Sequence, residues 1–241
     1  MFSITTFIID FIVVWHITAT IQSIYLHRSI GHNYIEYSSS IEHFFRFWLW
    51  MIIGFNWPGW NKHWAAHHRK HHRYADQPDD PHSPHHQTFR ELARPNPQRH
   101  GVTSDDYEFY ASEIEPKNDL AEKFYNTNHY LGVVIHMILQ YILFGWTGLT
   151  VAIIYTIFAD IFVTFVGKWA IHKIGFNYAQ TSKTDQSKIF FPITFFLGGE
   201  ELHTNHHNNT ARKNFAIRWF EFDIGYWYCQ ILVKLKLARW L

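Results

Sequence analysis

The sequence predicts an all-α membrane protein whose apolar base carries a large polar cap. Three observations lead there. Apolar residues make up 47% of the 241 and aromatic residues 19%, with 11 Trp and 22 Phe, a share that suits lipid interfaces. Mean hydropathy is nonetheless −0.19, too low for a chain buried mostly in lipid. The 21 Lys and Arg residues are confined to 28–123 and 168–241.

Taken in order, residues 2–26 are apolar apart from Asp10, His16 and a few Ser, Thr and Gln. Their length matches the ~20 residues that cross hydrocarbon. No basic stretch precedes them, so they read as a span and not as a cleaved leader. Residues 130–146 and 149–166 are two further candidates, joined by Thr147-Gly148 as a tight hairpin. About three transmembrane helices are therefore expected: one at 2–26, and two in a hairpin at 129–167. The positive-inside tendency puts blocks 27–128 and 168–241 together on the cytoplasmic side, with the N-terminus outside. Residues 44–57 resemble a span, but their uninterrupted apolar run, 47–55, is short and flanked by Arg46 and Lys62. A crossing there would separate His32 from His68, so an interfacial or half-inserted helix is expected. Residues 77–123 read as a polar cap of loops and short helices, and 215–241 as an amphipathic helix on the membrane surface. The whole chain reads as a single domain, 1–241.

Asp10, His16, His136 and Asp160 fall inside these spans, where ionisable groups are costly. Counted from the hairpin turn, His136 and Asp160 lie at similar depth and are expected to pair. Cys229 is the one cysteine, so no internal disulfide can form. A net charge of +1 gives no electrostatic footprint for nucleic acid.

The chemistry lies in the 19 histidines. His68, His71 and His72 stand at i, i+3 and i+4, which share one face of a helix. His203, His206 and His207 repeat that spacing, and His27 and His32 bracket the end of the first span. Imidazole suits iron, zinc, copper and nickel. Eight such ligands exceed the needs of one metal, so a two-metal site is the economical reading, and all three elements fall on the cytoplasmic side. His82, His85, His86 and His100 sit among Pro and Asp without helical register and read as solvated; His43, His63 and His129 read as interfacial.

At these residues the chain resembles the membrane-bound, histidine-box fatty acid desaturases, on the stearoyl-CoA desaturase branch. HRSIGH (27–32), HRKHH (68–72) and HTNHH (203–207) stand in that family's order, and DDPHSP (79–84) and GGEELHTNHH (198–207) look like bacterial members. The resemblance implies a ninth ligand, His172, in the segment that follows the last span. It also implies an asparagine where this chain has Lys168, a cation poorly suited to face a dication. The family usually has four spans and, in its eukaryotic members, Asp where this chain has His67. His67, Lys168, Glu200 and Glu201 are candidates for contacts behind the ligands.

The resemblance implies two non-haem Fe ions, held as Fe2+, that use O2 to place a cis double bond in a long fatty acyl chain; zinc would replace them readily during purification. Breaking an unactivated C–H bond requires such a redox group. No CxxC pair and no GxGxxG fingerprint is present, so an external electron donor is implied, either ferredoxin-like or a b-type cytochrome with its reductase. Arg69, Lys70 and Arg73 are candidates for docking it. A hydroxylase on the same fold, or a membrane metal-binding protein without catalysis, remain alternatives. Membrane lipid, in a bacterial inner membrane, is the expected surrounding.

Overall fold

A computed structural model describes residues 3–55, 57–93, 101–177, 182–190 and 193–241. Helix α1 (Ile4–Ile21) starts at Ser3, whose side chain accepts from the Thr6 amide, and continues into a π-helical stretch, Gln22–Gly31. Strand β1 (Ile35–Tyr37) follows, then α2 (Ser39–Ile53), which Gly54 ends in the left-handed conformation, and α3 (Trp60–Tyr74). The cap holds α4 (Phe89–Leu92), α5 (Ser104–Ala111) and α6 (Leu120–Thr127), each begun by a Thr or Asp side chain that accepts a backbone N–H. Then come α7 (His129–Thr164), a second π-helical stretch (Phe165–Ala170), α8 (Ile171–Lys173) and α9 (Thr194–Leu197). A 3-10 turn (Glu200–Leu202) leads into α10 (His203–Asn208), and α11 (Ile224–Lys234) and β2 (Ala238–Trp240) close the chain.

Among the described residues, two helical stretches, Ile4–Gly31 and His129–Ala159, are long and apolar enough to cross a membrane. The second folds back on itself. Gly145 has φ +61°, which breaks the helix, and the neighbours confirm a reversal. Gln140 donates to Asp10, the Thr147 hydroxyl accepts from the Ser3 amide, and Tyr155 packs against Phe11 and Trp15 further along α1. The turn thus lies at Gly145, two residues before the expected Thr147-Gly148. Gly148 serves a different need: a side chain there would collide with the Gln140 carbonyl of the opposing arm. The first arm packs on α2 at Gly132, where a Cβ would lie 2.5 Å from the Trp50 carbonyl.

The main apolar core gathers Ile24, Tyr25, Leu26, Ile35, Phe45, Leu49, Trp60 and Cys229 beneath α3. Arg46 fastens the α2 end of this core to the cap through Glu122 (2.9 Å) and Asp119 (2.7 Å). The C-terminal stretch differs from the single amphipathic helix that its pattern suggested. Only 224–234 is helical; Lys236 turns left-handed (φ +59°), and β2 pairs antiparallel with β1, Trp240 opposite Ile35. Backbone pairing to a ready strand outweighs the weak helical periodicity of the last residues.

Candidate dimetal site

The first π-helical stretch explains how His27 and His32 act together. Five residues of α-helix rotate by about 140°, which would send the two rings to different faces. The i→i+5 hydrogen bond of π geometry instead brings residues five apart onto neighbouring positions, and the His32 amide bonds the His27 carbonyl at 3.0 Å. Their Nε2 atoms lie 3.1 Å apart.

The Nε2 atoms of His27, His32, His68, His72 and His206 form a closed ring. Successive separations are 3.1 Å (His27–His32), 2.8 Å (His32–His68), 3.0 Å (His68–His72), 3.0 Å (His72–His206) and 3.0 Å (His206–His27). An imidazole nitrogen offers one in-plane proton or one lone pair, so it serves one partner. Five nitrogens with two neighbours each cannot be satisfied by hydrogen bonds. A cation at the centre satisfies all five. The second group is His71, His172, His203 and His207, whose ring nitrogens all lie within 4.8 Å of one another. Here His172 Nε2 and His203 Nε2 are 3.1 Å apart, and the Nε2 atoms of His71 and His207 are buried without a partner among the described residues.

All nine histidines singled out from the sequence, His172 included, thus fall into two adjacent groups. Their allocation differs from the expected sharing of one face per trio. Helix α3 gives His68 and His72 to the first group and His71 to the second; α10 gives His203 and His207 to the second and His206 to the first.

Carboxylates stand behind the rings. His71 Nδ1 donates to Asp80 (2.9 Å), His172 Nδ1 to Asp76 (2.8 Å) and His207 Nδ1 to Asp185 (2.8 Å), while His27 Nδ1 meets Glu200. Each contact places the proton on Nδ1 and turns the Nε2 lone pair inward, the arrangement that metal-ligating histidines require. Burial would raise Asp76, but the His172 N–H, the Gln186 amide and the Ser83 hydroxyl hold it down at about 2. Asp185 is likewise held well below the usual carboxylate range. Burial, and then mutual repulsion, keep His32, His68, His72, His203 and His206 well below the ordinary imidazole value. Burial also holds His207 down, at about 4. Burial pulls His71 down too, but Asp80 outweighs it and leaves that ring raised. The set is therefore mostly neutral imidazole at pH 7, the form that ligates.

Asp76, Asp80 and Asp185 were not singled out from the sequence. They come from loops without periodicity, and only DDPHSP hinted at one of them. Replacing Asp76 by Asn is expected to weaken metal binding by about 10–100-fold, the usual cost of losing a ligand's orienting partner. Titration with a chelator checks this; unchanged affinity would assign Asp76 to loop structure alone.

Other expectations sort as follows. Arg28 is fully buried, bidentate to Asp223 (2.8 Å to each oxygen) and 3.6 Å from Glu200, so it ties the first box to the C-terminal segment. Glu201 is buried, and burial raises its carboxyl to about 7. Lys168 Nζ donates to the Leu92 carbonyl at 3.4 Å. His67 stacks on His82, and His82 stacks on His71 at 3.9 Å. His82 is thus 7% exposed and not solvated, because loop 75–86 folds over the ligands. His85 donates to the His172 carbonyl and His86 to the Asp76 carbonyl; His100 lies outside the described residues. His63 is buried against the Tyr107 hydroxyl at 2.8 Å, not interfacial. His136 is buried with both ring nitrogens unpartnered among the described residues, and the side chain of Asp160, its expected partner, lies outside them. His16 instead bonds the Phe195 carbonyl and Tyr228, each at 2.7 Å. Arg69 and Lys70 are engaged within the cap, Arg69 with the Gly31 and Tyr110 carbonyls and Glu113, Lys70 with Asp106 and the Gly101 carbonyl. A pocket of about 360 Å3, lined by Gly31, His32, Arg69, His72 and Thr210, opens onto the first group.

No protein-family model matches the chain. It is 26% identical over 93% of its length to a hex-5-enoyl-[acyl-carrier protein] acetylenase of Moorena producens, of which it spans 73%. It is 25% identical over 88% of its length to an sn-1 stearoyl-lipid 9-desaturase of Synechocystis and to an acyl-CoA 5-desaturase of Anemone leveillei, and spans 64% of each. These relatives support a desaturase family. They support a fatty acyl desaturase-type oxidoreductase function, and the paired histidine groups fit metal binding. These relatives are named for acyl chains on a carrier protein, a lipid and CoA respectively, so the desaturase likeness leaves the acyl carrier open.

Proposed function

We propose that the chain is an O2-dependent fatty acyl desaturase, of the stearoyl-CoA desaturase branch, that introduces a cis double bond at a non-haem di-iron centre. The observation that carries this reading is the convergence of nine imidazoles into a group of five and a group of four, with carboxylates behind them. His27, His32, His68, His72 and His206 would hold one iron, and His71, His172, His203 and His207 the other. When bound, the iron pair supplies the oxidising power, drawn from O2, that no side chain has.

The chain's own residues orient and enclose. Asp76, Asp80, Asp185 and Glu200 keep the Nδ1 protons in place. The rings of His67 and His82 stack in file against His71 of the second group, and the pocket beside His32, His72 and Arg69 gives access to the first.

Side chains such as Ile8, Ile9, Ile142, Leu143 and Ile157 are exposed along the two apolar stretches, which supports a membrane setting. The reversal at Gly145 supports a reading of three crossings. The lack of Lys and Arg in 1–27 and 124–167 supports an active site on the cytoplasmic side. Electrons come from a separate carrier protein.

Expression in a host that lacks the activity, followed by fatty acid profiling, tests the reading. The expected product is two hydrogens lighter than its saturated precursor. A product one oxygen heavier would identify a hydroxylase, and no product from iron-loaded protein with a competent reductant would end the proposal. One observation favours a second reading: the relative of which the chain spans the larger share is an acetylenase. Supplying an unsaturated precursor in the same host would reveal alkyne formation.

A further inference from the structure

The two histidine groups are held from different directions. The second takes its carboxylates from loops, through Asp76, Asp80 and Asp185. Behind the first lies the C-terminal segment, and one buried residue, Asp223, gathers it. Asp223 accepts the Phe215 amide at 2.8 Å and the Tyr226 amide at 2.9 Å, the latter as the N-cap of α11. Both of its oxygens also bond Arg28 at 2.8 Å. The fit leaves no slack: a Cβ at Gly199 would lie 2.3 Å from Asp223 Oδ1, and one at Gly225 would lie 2.3 Å from Arg28 Nη1.

Two arms run from Asp223 to metal-ligating rings. One passes through Arg28, whose guanidinium is fully buried and also donates to the Ser23 hydroxyl. It stands 3.6 Å from Oε1 of Glu200, whose Oε2 meets His27 Nδ1. A guanidinium takes a carboxylate best as a two-pronged partner. Asp223 fills that role, so Glu200 is left to the imidazole. The other arm passes through Phe215. Its amide bonds Asp223 and its carbonyl accepts from Asn205 at 2.9 Å, so its backbone is fixed at both ends. Its ring lies 4.0 Å from Arg28 Cζ, 4.3 Å from the His206 ring and 5.5 Å from the His27 ring. Both arms end on the first group. Among the described residues, no hydrogen bond, ion pair or ring contact joins Asp223, Arg28 or Phe215 to His71, His172, His203 or His207.

We infer that Asp223 is a positioning residue for the first metal alone. It holds Arg28 off Glu200, so that Glu200 orients His27, and it seats the Phe215 ring against His206. The inference rests on the dimetal reading and goes beyond it, because it assigns to one metal a residue that touches no ligand. Without the Asp223 charge, the buried guanidinium keeps Glu200 as its carboxylate neighbour. An unpaired buried charge is costly, so Arg28 captures Glu200, and His27 loses the contact that fixes its tautomer and ring direction.

The test is cobalt(II) binding to the full chain in detergent, read from the visible absorption of the bound ion in competition with a chelator. Two single-site backgrounds separate the metals: His203→Ala retains the first group and His72→Ala the second. Asp223→Asn is expected to weaken binding about 10–100-fold in the first background, the usual cost of a lost orienting partner, and to leave it within twofold in the second. Adding Arg28→Met to Asp223→Asn frees Glu200 and should recover most of the loss. Phe215→Leu keeps the ion pair and an apolar side chain. It should also weaken the first group alone, which keeps the assignment testable if Asp223→Asn does not fold. Equal losses in the two backgrounds, or none in the first, would overturn the assignment and reduce Asp223 to the N-cap of α11. Failure of Arg28→Met to recover binding would overturn the arm through Glu200. No cobalt uptake by the unmutated chain would overturn the dimetal reading itself, a result distinct from uptake without selectivity.

Discussion

His72→Ala is expected to leave about one iron per chain where the unmutated protein takes up two, and to abolish product. The ring of His72 closes the five-nitrogen group through His68 on one side and His206 on the other. Removing it takes away a ligand outright, which exceeds the ~10–100-fold cost of losing an orienting partner. His203→Ala should do the same to the other group, where His172 would lose its 3.1 Å neighbour. The allocation makes a sharper expectation. His68→Ala combined with His72→Ala strips the same iron and should retain the other, whereas His72→Ala combined with His203→Ala should retain neither. Iron per chain after anaerobic reconstitution is the measurement. Single variants that keep both irons and near-normal turnover would refute the ligand set. Zinc must be excluded from the buffers, because imidazole sites take zinc more tightly than ferrous iron.

Lowering the pH from ~7 towards ~5 should destabilise the iron-free protein steeply, with unfolded chains taking up protons near the ordinary imidazole value of ~6.5. The sign follows from linkage. His32, His68, His72, His203, His206 and His207 have folded values below the unfolded one, so the unfolded chain binds more protons in the window between them. Stability therefore rises with pH across that window and is lost as pH falls, by up to ~1.4 kcal/mol per pH unit for each histidine. Asp76 acts later: its stabilising contribution, present above the unfolded carboxylate value, fades only as pH falls towards about 2. His71, held up by Asp80, opposes the trend. Iron has the same sign, since protons compete for the same Nε2 atoms. The midpoint of thermal unfolding, followed by tryptophan fluorescence across this range, checks the expectation. A flat profile would mean that the rings are solvated in the folded chain, and His206→Gln should flatten the slope.

The site was legible because its ligands carry helical spacing. Two HxxHH trios and a third pair can be read without any fold, and these eight rings converge with a ninth, His172, which only the family resemblance supplied. Which ring joins which group was not legible. Positions i+3 and i+4 differ by about 100° around a helix, enough for neighbouring centres to divide a trio, and only the packing of α3 against α10 decides how. The π turn that aligns His27 with His32 leaves no compositional trace. Asp76, Asp80 and Asp185 act from loops, where a carboxylate looks like any solvated one. The hairpin was placed two residues late because Gly145 and Gly148 look alike in sequence, although one supplies a positive φ and the other a close approach. In the last segment, amphipathic content suggested a helix, and pairing with β1 cannot be seen locally.

Because α3 and α10 each reach into both nests, neither ion can be seated without arranging most of the other's cradle. The first ion to arrive fixes two helices in one step, and its successor meets donors whose ordering is already complete. Uptake should therefore be sigmoidal in free ferrous ion, with singly loaded chains scarce at every concentration.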